Sequence, residues 1–301
     1  MILITGGTGV MGTALVQRLR AKGRPVRVLA LAGDRGAAGV ETLGAEARSG
    51  DVSRVEDVAG ACDGVETVYH LAAVIVAFDD AVYQRVNVGG TANVVAEARR
   101  AGVKHFVHVS SASVVYPKTT AYSRSKREAE RIVRESGIGY TIVRPTLVYD
   151  DRRGAQEFDD FLAYLRRFPV VPFIGSGRAR KRPVHASDVV AGLTAIEGNG
   201  KAIGKVYNLS GREVITMRAF ARLCLRLLGQ ERKPVVALPV WFCHAASWLM
   251  GVAMTRPPLR WPVIAGVTQD ADLDPSEACR DLGYAPSRVS ERLPSCFPRE
   301  A

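Results

Sequence analysis

Apolar runs alternate with helix-spaced apolar positions along the first two-thirds of the chain. The runs predict six strands, at about 1–4, 25–31, 65–71, 106–111, 140–145 and 206–209, and a further short strand is predicted at 46–49, before Gly50-Asp51-Val52. Helix spacing of apolar residues predicts helices after the first run and at about 79–101, 122–136, 158–168, 187–197 and 216–228. We expect Ser187 to cap the helix that it begins. Strands that alternate with helices indicate an α/β fold built on a parallel sheet.

A glycine-rich turn joins the first strand to the first helix. It reads Thr5-Gly6-Gly7-Thr8-Gly9-Val10-Met11-Gly12 and satisfies both G-x-G-x-x-G and G-x-x-G-x-x-G. Glycine lets the backbone approach a ligand closely, and the free N–H groups of the first helical turn can bind a phosphate. The context of strand, turn and helix therefore predicts a dinucleotide site. A tight turn without a ligand is the alternative. The contacts predicted for the cofactor here are Gly6, Gly9, Val10, Met11 and Gly12.

Composition narrows the class of protein. The 301 residues are 47% hydrophobic, and none of the apolar runs reaches the ~20 residues that span a bilayer. The longest, Val240–Met254, is interrupted by His244 and Ser247. With the first strand starting at Met1, we expect no signal peptide. Five scattered cysteines without a C-x-x-C pair indicate reduced thiols in the cytoplasm and no metal site.

The net charge of +11 allows nucleic acid, an anionic membrane or an anionic ligand as partner. Its arginines are dispersed, with one dense run at 178–182, and no nucleic-acid-binding motif occurs. We therefore expect a solvated basic surface and no nucleic-acid partner.

Polar or small residues follow each of the next three strands. An acidic residue after the second strand would bind the ribose of NAD, whereas an arginine would accommodate the 2′-phosphate of NADP. Asp34 and Arg35 both follow it, and we lean slightly to NADP. Asp51, beside Val52, could accept a hydrogen bond from the adenine amino group or cap a helix. Small residues after the fourth strand would let the cofactor lie close; they follow Leu71 and are Ala72 and Ala73.

Two polar residues near these strands have open alternatives. His70 is interpreted as a core histidine with its hydrogen bonds satisfied rather than as a catalyst. Asn87 lies in the helix predicted at 79–101, and a polar group on an apolar face needs a partner. It either supports the backbone of the active site or is exposed to solvent.

The fifth strand and the helix after it carry the candidate catalytic chemistry. The strand ends in Ser110-Ser111, and Tyr122 stands four residues before Lys126 on one helical face. A nearby ammonium lowers the pKa of a tyrosine. Tyr122 could then transfer a proton while a hydride moves to or from a nicotinamide, with Ser111 holding the reacting oxygen.

Together these motifs resemble the extended short-chain dehydrogenase/reductase family, the NAD-dependent epimerase/dehydratase group. The matching segments, in family order, are TGGTGVMG (5–12), GDV (50–52), HLAA (70–73), NVGGT (87–91), VSSAS (109–113), YSRSK (122–126), RPTLVY (144–149) and PVHASDVV (183–190). The resemblance implies a Rossmann doubly wound parallel sheet with a small C-terminal α/β substrate lobe. It divides the chain into an NAD(P)-binding domain at 1–150 and a mainly substrate-binding lobe at 151–301, with segments that return to the Rossmann core.

The resemblance also implies roles for individual residues. Tyr122 would be the proton donor or acceptor, Lys126 would lower its pKa and bind the nicotinamide ribose, and Ser111 would polarise the substrate oxygen. Ser113 is the second choice for that last role. The remaining cofactor contact is Pro145.

Two features bear on the substrate. Leu147 stands where sugar-nucleotide members usually have Asn, while Lys181-Arg182 could still hold phosphates. All three tryptophans fall in one apolar stretch, 238–261. That stretch is either lobe core or a hydrophobic substrate wall or membrane-surface helix. With a hydrophobic wall or membrane-surface helix, the chain resembles the 3β-hydroxysteroid dehydrogenase-like branch of the family.

Three functional hypotheses follow. The favoured one is an NAD(P)-dependent oxidoreductase that interconverts a secondary alcohol and a ketone on a sterol-, terpenoid- or flavonoid-like substrate. A nucleotide-sugar epimerase or dehydratase with bound NAD, and a non-catalytic assembly subunit that binds a cofactor, are the alternatives. For the favoured hypothesis we expect a cytoplasmic homodimer with peripheral membrane contact.

Overall fold

The protein is described by a computed structural model that covers residues 1–151 and 156–297. Its strands are β1 (Ile2–Thr5), β2 (Val26–Ala30), β3 (Glu46–Ser49), β4 (Thr67–His70), β5 (His105–Val109), β6 (Gly139–Pro145), β7 (Val148–Tyr149), β8 (Val171–Ile174), β9 (Arg180–Lys181), β10 (Val184–His185), β11 (Lys205–Leu209), β12 (Ile215–Thr216) and β13 (Val235–Leu238). Its helices are α1 (Val10–Ala21), α2 (Ala37–Thr42), α3 (Val55–Val58), α4 (Asp80–Val82), α5 (Gly90–Arg100), α6 (Ala121–Arg134), α7 (Gln156–Arg167), α8 (Ala186–Ile196), α9 (Met217–Leu227), α10 (Val240–Ala253), α11 (Trp261–Thr268), α12 (Ser276–Leu282) and α13 (Val289–Arg292). A π-helical segment, Tyr83–Gly89, joins α4 to α5.

Seven parallel strands form the central sheet, in the order β11-β6-β5-β4-β1-β2-β3. Each of the seven predicted strands is present. The chain winds outward from β1 in both directions, which is the doubly wound Rossmann arrangement. The predicted fold class is therefore confirmed.

Helices cover both faces of the sheet, because these strands are apolar on both sides. One core lies on the face shared with α1 and α8, where Leu15, Val16 and Val189 pack on Ile4 and Val28. The opposite core lies under α5 and α6. Strand β11 and helix α8 thus pack with the sheet although they follow residue 150 in the chain. The boundary between two domains at that residue stays a prediction.

A third core lies outside the sheet. It joins α7 and α9 to the parallel strand pair β8–β13, around Phe158, Leu165, Phe220 and Val235.

The start of α8 differs from the prediction. His185 rather than Ser187 caps this helix, because the imidazole Nδ1 accepts the amide hydrogen of Ser187 over 3.2 Å, so the predicted cap was wrong. In the part of the chain that the structure describes, we find none of the helices long and apolar enough to cross a membrane.

Candidate active site

The glycine turn between β1 and α1 has the geometry of a phosphate site. Gly6 has φ +70°, and a Cβ at Gly6 would lie 2.8 Å from the amide nitrogen of Ala72. A Cβ at Gly12 would lie 2.2 Å from the carbonyl oxygen of Gly6. Helix α1 then begins after Gly9 with no side chain capping its amides. The turn therefore needs glycine for its own packing and leaves the first N–H groups of α1 for an anion, which fits a dinucleotide pyrophosphate.

Asp34 hydrogen-bonds to this turn. The carboxylate of Asp34 accepts a hydrogen bond of 2.6 Å from the hydroxyl of Thr8 and one of 2.8 Å from the amide of Gly36. Arg35 is exposed in the same turn after β2. After β3, the Asp51 carboxylate accepts the amide hydrogen of Ser53 over 2.8 Å. Asp51 therefore stabilises its own turn, while the N-cap position of α3 is taken by Arg54, whose side chain makes no capping hydrogen bond.

The segment after β4 contacts the glycine turn, and Asn87 hydrogen-bonds to its backbone. Leu71, Ala72 and Ala73 are half-buried there. Asn87 is 1% exposed; its Oδ1 accepts from the amide of Val74 over 2.8 Å. Its Nδ2 donates to the carbonyl of Val74 and to Ser125 Oγ of α6, each over 3.0 Å. Asn87 thus supports the backbone at the site, and the solvent-exposed alternative is wrong.

Lys126 is buried against the end of β5. Its side chain is 2% exposed, and its Nζ donates a hydrogen bond of 2.7 Å to the carbonyl oxygen of Val109, the last residue of that strand. Burial, only partly offset by the charge of Glu130, lowers the pKa of Lys126 to about 8. The bond brings the second turn of α6 to the strand end from which Ser111 follows.

Tyr122 lies one helical turn before Lys126, near the start of α6. A capping box fixes that start, because Thr120 Oγ1 accepts the amide hydrogen of Ser123 and Ser123 Oγ accepts that of Thr120. Tyr122 is half-buried, with its ring 5.9 Å from the ring of Tyr83. The predicted spacing thus places Tyr122 and Lys126 on consecutive turns of one helix.

Ser113 hydrogen-bonds to Ser111. The amide of Ser113 donates to Ser111 Oγ over 3.2 Å and its hydroxyl over 3.0 Å. These two bonds occupy the acceptor side of Ser111 Oγ, so its own hydrogen can be donated to another oxygen. This arrangement favours Ser111 over Ser113 as the group that would meet a substrate oxygen.

A buried pair of histidines, His70 and His108, lies under the site. The sequence analysis considered His70 and missed His108. His70 is a core histidine as expected, with ring nitrogens 2.7 Å from Thr5 Oγ1 and 3.0 Å from Thr91 Oγ1. His108 stacks on it at 5.5 Å. Burial, followed by the charge of Lys126, lowers the pKa of His70 to about 3 and holds that of His108 well below its usual value. His70 and His108 lie at paired positions near the ends of the neighbouring strands β4 and β5, and this pairing could have predicted their contact.

The basic run has structural partners in this protein. Lys181 is 3% exposed, and its Nζ donates to the carbonyl oxygens of Gly266 and Gln269 over 2.8 and 2.6 Å. Arg182 donates to the carbonyl of Arg212 over 3.1 Å. Neither observation favours the interpretation that these residues hold a substrate phosphate.

Three potential metal ligands meet at the ends of β7 and β10. Ligand atoms of Asp150, Asp151 and His185 lie within 4.8 Å of one another. Local bonds account for much of this grouping, because the carboxylate of Asp150 accepts the amide hydrogen of Asp151 over 2.8 Å and His185 caps α8. We propose no metal there.

The tryptophan-rich stretch forms α10, the connection that follows it and the first residue of α11, and its tryptophans are exposed rather than internal. Trp241 and Trp248 are 72% and 73% exposed, and Trp261 is 39% exposed. The lobe-core alternative is therefore wrong for these side chains.

The sequence matches a known family over the sheet and the candidate catalytic residues. The matching description is the NAD dependent epimerase/dehydratase family, over residues 2–210. The chain belongs to this family. The motif resemblance is thereby confirmed, and the protein is an NAD-dependent enzyme of the dehydrogenase, reductase, epimerase and dehydratase group.

Individual relatives are also similar over nearly the whole chain. A 4-hydroxy-2-methyl-3-oxo-4-farnesyl-3,4-dihydroquinoline-1-oxide ketoreductase of Stigmatella aurantiaca is 29% identical, covering 94% of this chain and 91% of the relative. A 3 beta-hydroxysteroid dehydrogenase/Delta 5-->4-isomerase of Mycobacterium tuberculosis is 28% identical, covering 99% and 89%. The structure of a dTDP-glucose 4,6-dehydratase from Streptomyces venezuelae, solved with NAD bound, superposes with a TM-score of 0.76 at 23% identity, covering 97% and 94%. At that identity it supports the fold alone.

Proposed function

We propose that this family member is an oxidoreductase that interconverts a secondary alcohol and a ketone on a hydrophobic substrate. The observation that carries the proposal is the set of Ser111, Tyr122 and the buried Lys126 around the end of β5. The two relatives named for ketoreduction and hydroxysteroid dehydrogenation support the substrate class. The structural partners of Lys181 and Arg182 weigh against a nucleotide-sugar substrate.

The bound nicotinamide would supply or accept the hydride. Ser111 would donate its hydroxyl hydrogen to the substrate oxygen and hold it near Tyr122. Tyr122 would give a proton to that oxygen in reduction and remove it in oxidation. The Lys126 ammonium would favour the phenolate of Tyr122, and its bond to Val109 would hold it in place.

Activity with a panel of sterol, terpenoid and flavonoid alcohols and ketones tests this assignment. We expect stoichiometric change in NAD(P)H, and a loss of about 10²–10⁴-fold in kcat/KM for Tyr122→Phe. Tyr140→Phe is the matched control, because Tyr140 lies near the amino end of β6. Full turnover by Tyr122→Phe would refute the mechanism. Turnover of a nucleotide sugar with tightly bound NAD and no net NADH would support the epimerase or dehydratase alternative.

Cofactor choice is part of the proposal. Asp34 lies against the glycine turn, where its carboxylate would repel the 2′-phosphate of NADP, so we now propose NAD over the NADP that Arg35 favoured. Asp34→Ala should raise kcat/KM with NADP relative to NAD by about tenfold or more, whereas Arg35→Ala should change the ratio little. A preference for NADP in the unmodified enzyme would contradict this choice.

The cytoplasmic location, the homodimer and the peripheral membrane contact also remain proposals. Light scattering of the purified protein measures its oligomeric state directly. The membrane contact rests on the exposed tryptophans.

A further inference from the structure

Helix α10 presents its most apolar side chains to solvent. Trp241, Trp248 and Val252 are separated by seven and four residues, so they share one face of the helix, and each is more than 70% exposed. Leu249 beside them is 63% exposed. The residue buried on the opposite side is Cys243, at 1%. A helix on a water-facing surface normally has the reverse distribution.

The stretch of chain that carries this face has only positive formal charge. Residues 232–269 contain no Asp or Glu, and their four basic residues are Arg232, Lys233, Arg256 and Arg260. Exposed aromatic and aliphatic groups beside cations are typical of a helix that lies in the interface of an anionic membrane. A second copy of the chain would bring the same cations to the contact without an acidic partner, whereas anionic lipid supplies the opposite charge.

The connection between α10 and α11 contacts the segment that borders the site. Arg260 donates a hydrogen bond of 2.8 Å to the carbonyl of Ala77, and its guanidinium lies 4.2 Å above the ring of Phe78. Phe78 is 54% exposed. Ala77 and Phe78 belong to the same segment as Leu71–Ala73, which Asn87 holds beside the glycine turn.

We propose that the α10 face, formed by Trp241, Phe242, Trp248, Leu249 and Val252, docks on an anionic lipid bilayer with α10 in the membrane plane. The connection through Arg260 and Phe78 places the mouth of the active site at that bilayer. A hydrophobic ketone or alcohol then enters from the lipid phase, and this second statement rests on the proposed function.

Vesicle binding by the full-length protein tests the docking without any enzymatic readout. In a flotation assay the protein should bind vesicles of phosphatidylcholine and phosphatidylglycerol, and it should bind vesicles of phosphatidylcholine alone more weakly. High salt should remove the difference in binding between the two kinds of vesicle. Because every tryptophan lies between residues 241 and 261, their fluorescence should shift to the blue on binding. Lipids brominated on their acyl chains should quench it.

Two valine substitutions give a matched comparison. Val252→Glu should weaken binding to anionic vesicles by about tenfold or more, through lost apolar contact and charge repulsion. Val55→Glu, at a valine 67% exposed in α3, should bind as the unmodified protein does. Both should keep the unmodified melting temperature. If the unmodified protein binds neither kind of vesicle, or if Val252→Glu binds as tightly as the unmodified protein, the docking proposal is overturned. A lipid-free dimer that Val252→Glu dissociates would also overturn it, because the face would then be a protein interface.

Activity measurements test entry of the substrate from the lipid phase separately from docking on the bilayer. With a ketone dissolved in vesicles, Val252→Glu should lose activity in proportion to lost binding, whereas with a water-soluble ketone it should match the unmodified enzyme. Equal loss with both ketones would overturn delivery from the lipid phase. Vesicle binding by a protein inactive on every ketone and alcohol would refute the proposed function and leave the docking supported.

Discussion

Replacement of Lys126 by Met should separate stability from activity. Methionine has a similar length and no charge, so Lys126→Met removes a buried ammonium and its hydrogen bond to the carbonyl of Val109. We expect turnover to fall by about 100-fold or more, because a group proposed to act on Tyr122 is lost. Stability should change in a way that depends on pH.

The magnitude follows from the pKa of Lys126, which burial lowers from 10.5 to about 8. Between those pH values the unfolded chain binds a proton that the folded chain does not, so stability rises with pH through this window. At 1.36 kcal/mol per pKa unit, the shift corresponds to about 3 kcal/mol of destabilisation at pH 7 that is relieved by pH 10.5. Lys126→Met removes this cost but leaves a buried carbonyl unpaired, at about 1–3 kcal/mol.

Urea unfolding of both proteins from pH 7 to 10.5 measures the effect. At pH 7 the two terms should nearly cancel, so the variant should be as stable as the unmodified protein or slightly more stable. At pH 10.5 it should be the less stable protein, and the difference should have moved by about 3 kcal/mol. Lys104→Met, at an exposed lysine, should give a flat difference. A flat difference for Lys126→Met would refute the burial argument.

Four further substitutions test the packing around the site. Gly12→Ala places a Cβ 2.2 Å from a carbonyl oxygen, so it should cost more than about 2 kcal/mol in urea unfolding and abolish NAD binding in a fluorescence titration; unchanged melting would contradict the close packing. Asn87→Leu leaves the amide and carbonyl of Val74 without their side-chain partner, so it should cost about 2–4 kcal/mol and speed hydrogen exchange of Val74; normal protection there would count against its supporting role. The ring nitrogens of His108 have no hydrogen-bond partner among the described residues, so His108→Leu should be neutral or stabilising by up to about 2 kcal/mol, while His70→Leu destabilises. Equal thermal shifts for these last two would show that the distinction is wrong.

The sheet and the positions of the site residues were predictable for a physical reason. Parallel strands covered on both faces need continuous apolar runs, so runs such as 140–145 could be recognised without knowledge of their neighbours. Helical geometry alone puts Tyr122 and Lys126 on one face. The parallel sheet then brings the ends of β1, β4 and β5 to one edge, because the strands share a direction.

Other features depend on contacts that spacing does not encode. Lys181 lies in a basic run that looks solvated, yet it turns inward from a two-residue strand to the carbonyls of Gly266 and Gln269. The apolar pattern of α10 is the same for a helix in a core and for one on a membrane surface. Ser187 has the residue type of a cap, but α8 already begins at Ala186, and His185 accepts the amide hydrogen of Ser187.

The π-helical segment Tyr83–Gly89 also limits which insertions and deletions relatives of this enzyme can tolerate. An i→i+5 turn accommodates one residue more than an α-helical turn would. Loss of a single residue from this segment would therefore restore regular α-helix and keep α5 on the same face, whereas loss of a residue within α5 would rotate the residues beyond it by about 100° about the axis. The side chain whose direction changes in the first case is Asn87, because it lies inside the π-helical segment. An alignment gap of one residue here would therefore mark a relative whose cofactor edge is organised differently.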